Sequence, residues 1–163
     1  MKTFFKYVLF IGYLLPLGAA AQGGASVSVS GSWSSSAAGL LSEAGQNYGS
    51  HLTSATSQSL ATITGVNPLP SWTVVVQKQD LFWHSNLSIW VRKTGDGNCS
   101  GGGCVITPSG TSAYIQLQNS TQTLFTGTRN RSDVPLQYEI RGLSVLVPVN
   151  TYTANVVYTL LEM

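Results

Sequence analysis

Apolar and polar residues alternate with a period of two along most of this chain. Val27-Ser28-Val29-Ser30 alternates up to Trp33, and Leu87, Ile89 and Val91 share one parity. Ile115 and Leu117 oppose Tyr114, Gln116 and Gln118, while Leu136, Tyr138 and Ile140 oppose Gln137, Glu139 and Arg141. Further on, Tyr152, Ala154, Val156, Tyr158 and Leu160 stand against Thr153, Asn155, Val157, Thr159 and Leu161. Successive side chains of a strand point to opposite faces, so each run predicts a strand with one face inward and one in water. The shared parity predicts that Leu87, Ile89, Val91, Ile115, Leu117, Leu136, Tyr138 and Ile140 face one core.

Residues 72–77 form a further β-branched run, and residues 57–64, 124–125 and 144–147 are weaker candidates. Clusters of Gly, Pro, Asn and Ser separate them, at Asn67-Pro68 and at residues 95–103, 108–110, 127–133 and 148–150. Residues 34–57 are the least patterned; residues 37–44 suit at most a turn or two of helix, stopped by Gly45. About eight or nine short strands with frequent turns predict an all-β fold, an antiparallel sandwich or barrel.

The first 21 residues follow a different pattern. Lys2 and Lys6 precede an apolar run over residues 7–17, broken only by Gly12 and Pro16, and Ala19-Ala20-Ala21 follows. A charged start, a short apolar stretch and small residues at the cleavage positions predict a secretory signal peptide. The run is shorter than the ~20 residues that span a bilayer. Cleavage after Ala21 is therefore expected, giving a leader over 1–21 and a single domain over 22–163. The mature protein is expected to be secreted or at the cell surface, with no membrane insertion after cleavage.

Losing Lys2 and Lys6 takes the formal net charge from +2 to zero, with six basic and six acidic residues left and no run of like charge. Nucleic acid needs a basic footprint to neutralise phosphates, so no nucleic-acid partner is expected. With only 9% of residues charged, solubility rests on neutral polar side chains, and the surface lacks the repulsion that keeps copies apart.

Candidate chemistry is sparse. Cys99 and Cys104, exported together, predict a disulfide, placed at the tip of a hairpin between the Leu87 and Ala113 strands. Asp80 and His84 lie four apart with Trp83 between them, but a third partner is missing; His51 is the other histidine. Asp96-Gly97-Asn98-Cys99-Ser100-Gly101 imitates the start of a calcium loop, yet Thr107 stands where the acidic twelfth ligand belongs, so no metal is expected. No H-E-x-x-H, G-x-S-x-G or phosphate-loop pattern occurs. No cofactor is expected, and nothing in the chain reads as an enzyme. Among the four tryptophans, Trp83, beside Phe82 in a loop, is the candidate for glycan stacking.

Residues 136–161, LQYEIRGLSVLVPVNTYTANVVYTLL, resemble the final strands of exported bacterial immunoglobulin-like sandwiches of the spore coat U and fimbrial subunit type. There a proline turn precedes a terminal strand like Tyr152-Thr153-Ala154-Asn155-Val156-Val157-Tyr158-Thr159-Leu160. The resemblance implies an immunoglobulin-like β-sandwich acting as a structural or adhesive subunit of a surface appendage, fibre or matrix.

The chain's own residues give that expectation an assembly route. Two glycines precede the uncharged strand bearing Val27, Val29 and Trp33, and neither charge nor proline guards it between Gln22 and Glu43. Such a strand either completes a neighbour's sheet, giving a self-associating filament, or folds back into its own sandwich. The alternative role is that of a secreted carbohydrate- or ligand-binding domain.

Overall fold

The computed structural model describes residues 7–10 (as backbone), 24–37, 48–49, 51–66, 71–99 and 101–162. The described residues form thirteen strands and no helix. In chain order these are β1 (Tyr7–Phe10), β2 (Ser26–Ser30), β3 (Trp33–Ser35), β4 (His51–Thr53), β5 (Ser59–Thr64) and β6 (Trp72–Phe82). There follow β7 (Ser88–Lys93), β8 (Asn98–Cys99), β9 (Ile106–Thr107), β10 (Ile115–Gln116), β11 (Gln122–Gly127), β12 (Arg131–Arg141) and β13 (Tyr152–Glu162).

The strands build two sheets with the core between them, a β-sandwich. One sheet runs β3-β1-β13-β6-β11-β9; the other runs β10-β7-β12-β5-β2, with β4 and β8 also paired to β12. Every described pairing is antiparallel except that of β1 with β13. The strand number exceeds the eight or nine expected because two- and three-residue pairings are too short to show a period.

The alternation faithfully marks the inner face. Leu87, Ile89, Val91, Leu117, Leu136, Tyr138 and Ile140 are buried, and Ile115 packs half-buried against them. Trp72, Val74 and Val76 meet them from the opposite sheet. The Tyr138 and Tyr158 hydroxyls join the sheets through a 2.8 Å hydrogen bond. Burial pushes the Tyr138 phenol up to about 12, and raises Tyr158 as well.

Three expectations need correction. Residues 144–147 form a turn, not a strand, with Val147 N donating to Ser144 O. The break expected across residues 127–133 ends early, because β12 begins at Arg131 and carries Ser132 and Asp133 as a bulge, pairing with β5 resuming at Val134. A proline is accommodated beside a bulge, where a ladder bond is already missing. The disulfide is formed, with Cα atoms 6.3 Å apart, but it does not sit at a hairpin tip. Cys99 lies in β8, paired to β12, whereas β9 pairs with β11, so the bridge closes a corner where the chain crosses between sheets. The flanking strands pair directly, Ile115 opposite Val91. The helical turn considered for residues 37–44 lies outside the described residues beyond Ala37.

Candidate functional site

The N-terminal strand splits between the sheets. Val27 and Val29 of β2 lie opposite Ile63 and Ala61 of β5, half-buried against the chain's own core. Gly31, at φ +108°, then turns the chain toward the other sheet. A Cβ there would stand 2.6 Å from Gln58 O, so a side chain has no room. Trp33, at the start of β3, is buried and stacks on Tyr138 with ring centroids 6.5 Å apart. In the single chain, therefore, Val27, Val29 and Trp33 all contribute to their own sandwich.

β3 does not reach β13. Between them lies β1, drawn from the apolar run of the expected leader, with Tyr7 opposite Tyr152 and Phe10 opposite Asn155 on one side. On its other side, Tyr7 lies opposite Ser35 and Leu9 opposite Trp33. Tyr7-Val8-Leu9-Phe10 is apolar without alternation, a pattern that suits a strand as well as the core of a signal peptide. Its backbone fills a slot one strand wide in the six-stranded sheet. β13 runs on to Glu162, and among the described residues nothing pairs with its slot-side edge beyond Asn155.

Exposed apolar side chains occur at the end of β6, which pairs with the start of β13, and in the loop that precedes β13. β6 ends at Leu81 and Phe82, both more than half exposed, with Phe82 opposite Thr153 and stacked on Tyr152 at 5.7 Å. Leu146, 81% exposed, and Val149 lie in the loop leading into Tyr152. Sequence reading missed this group, although Leu81-Phe82 and Leu146 beside turn residues were visible signals.

Trp83 is less available than expected. It is half-buried, its Nε1 donates to Leu87 O at 2.8 Å, and it meets Tyr152 edge-on at 6.4 Å. Asp80 and His84 are engaged separately: Asp80 pairs with Lys78 at 2.8 Å, and His84 Nδ1 accepts from Asn86 N at 3.2 Å. His51 faces Glu139 at 3.7 Å.

The calcium-like segment is a structural knot. The Lys93 ammonium, fully buried, bonds to the Asp96 carboxylate and to the Gly95 and Gly110 carbonyls. Asp96 also accepts from Gly110 N and Ser109 Oγ. Burial pushes the Asp96 carboxyl up, but the bonds from Lys93, Gly110 and Ser109 outweigh it and hold it below the usual carboxylate range. With its oxygens so engaged, Asp96 has little to offer a cation. No group of three His, Cys, Asp or Glu side chains suited to a metal occurs among the described residues.

No family model, curated protein or solved structure matches the chain.

Proposed function

We propose that the protein is an extracellular structural subunit that associates with copies of itself through β-strand pairing, in a surface fibre or matrix. The observation that supports this most is the strand-wide slot between β3 and β13, occupied by Tyr7–Phe10 from the expected leader. Cleavage after Ala21 removes that strand and leaves two facing edges unpaired. Unpaired backbone groups at a buried edge cost free energy until a partner supplies them.

A second copy carries a suitable strand. Ser26–Ser30 is uncharged, alternates Val with Ser, and pairs on one side only within its own sheet. Seated in the slot, its valines would cover the core while its serines faced water. Gly31 supplies the hinge, and Trp33 stays with its own core. The near-neutral surface and the exposed Leu81, Phe82 and Leu146 favour close association. A disulfide-bonded small β-domain is compatible with life outside the cell. No catalytic role is proposed.

Electron microscopy of the chain beginning at Gln22 tests the reading. Filaments or ordered oligomers are expected, and a peptide containing Tyr7–Phe10, added during assembly, should suppress them by occupying the slot. Dispersed monomers at all concentrations, or assembly indifferent to the peptide, would contradict it.

A further inference from the structure

Arg131 stands at the first position of β12, opposite Ile63 of β5 and Cys99 of β8, and is only 7% exposed. A guanidinium keeps its charge at any pH a protein experiences. Yet no carboxylate among the described residues lies within salt-bridge distance of it. Its Nη1 donates to the Asp96 carbonyl at 3.2 Å, and its buried Nε has no partner. Nη2 likewise makes no hydrogen bond among the described residues. Nε is shut off from solvent, so Nη2 is the group of this guanidinium left for a ligand.

The neighbouring carboxylates are already committed. Asp96 serves Lys93, and Asp133 accepts from Asn98 Nδ2 at 3.2 Å. A buried, unpaired cation is a costly arrangement that an anion would relieve. Arg131 lines a pocket of about 250 Å³, in which it is the only charged residue among the described residues. The polar residues Thr62, Thr64, Asn130 and Ser132 line it as well. Asn130 Oδ1 accepts from Val66 N, which leaves its amide N–H groups as donors.

We propose that this pocket binds a small carboxylate-bearing ligand, an acidic sugar residue being the class it suits. Arg131 Nη2 takes the carboxylate, and the polar side chains around it take the ring hydroxyls. The volume falls just below the ~300 Å³ at which pockets for drug-sized ligands begin, which suits one sugar ring. Its residues Thr62, Ile63 and Thr64 lie opposite β2, the strand proposed for donation, but the Arg131 and Asn130 side chains bond to Asp96 and Val66, not to β2 or the β3–β13 slot, so binding by the dispersed chain tests the site apart from assembly.

Calorimetric titration of the intact protein with D-glucuronate tests this, with D-glucose, acetate and sulfate as parallel probes. Saturable binding of glucuronate at one site is expected, with glucose at least tenfold weaker and Arg131→Gln at least tenfold weaker than the wild type. Acetate matching glucuronate would assign the ligand to free small carboxylates, and the carboxylate site would stand. Sulfate binding as tightly as glucuronate, glucose binding equally well, unchanged affinity in Arg131→Gln, or no binding at all would overturn it. Should Arg131→Gln fail to fold, Asn130→Asp sets a carboxylate in the pocket wall and retains an acceptor for Val66 N. It should stay folded and lose glucuronate; retained binding in that variant also overturns the proposal.

Discussion

Lys93 shows how single residues in this chain reverse their usual preferences. It continues the inward parity of Ile89 and Val91, and so arrives fully buried, with the Asp96 carboxylate as its counter-charge. Because the Asp96 carboxyl is held below its ordinary value, the stability it contributes is present above about pH 4 and is lost as pH falls through the lowered folded value. Acid unfolding followed by circular dichroism should show this loss. Asp96→Asn should be destabilised at neutral pH by about 3 kcal/mol, because it strands the ammonium, and should show a shallower acid slope. Equal acid slopes in the two proteins would mean that the pair does not govern acid stability. The Tyr138–Tyr158 bond makes a second residue-scale prediction. Tyr138→Phe leaves the Tyr158 hydroxyl without this partner and should cost about 1–3 kcal/mol in denaturant titrations. The double change to Phe should recover part of that loss.

Among the elements, β12 carries the most, because it pairs with β7 over residues 136–141 and with β4, β5 and β8 as well. Its bulge needs a close neighbour without a side chain. Gly97, at φ +66°, lies where a Cβ would stand 2.4 Å from Ser132 O and 2.8 Å from Val134 N. Gly97→Ala should therefore cost about 2 kcal/mol or more, measurable as a lowered denaturation midpoint; a change of a few tenths would mean the bulge can shift. Long alternating segments were legible in the sequence because one wet face and one core face impose a period that needs no partner to be seen. Tyr152 to Leu160 and Leu136 to Ile140 are such cases. The bulge at Ser132 and Asp133 was misread as part of a turn because residues that break a ladder look the same whether the chain reverses or merely skips a pairing. Arg131 was invisible for a related reason. A bulge resets the parity, so its inward position follows only from the neighbours β5 and β8. Nor could β1 be found by periodicity, since an unbroken apolar run carries no alternation.

At the scale of the whole molecule, the sandwich is complete only with β1 in place. The six-stranded sheet depends at its margin on a strand from the expected leader, while the other sheet ends on Ser26–Ser30, an edge strand without charge. One sheet thus offers a place and the other a strand to fill it, and β13 has more open edge than the four residues of β1 use. Such a subunit is expected to satisfy itself through a neighbour, in a head-to-tail order that does not close on itself. Hydrogen exchange at the amides of Tyr152 to Asn155, in the chain beginning at Gln22 and over a range of protein concentrations, tests this most directly. Protection of that segment should rise with concentration, as second copies fill the slot. Protection that is independent of concentration would show that the chain closes its own slot, and would contradict assembly by strand pairing.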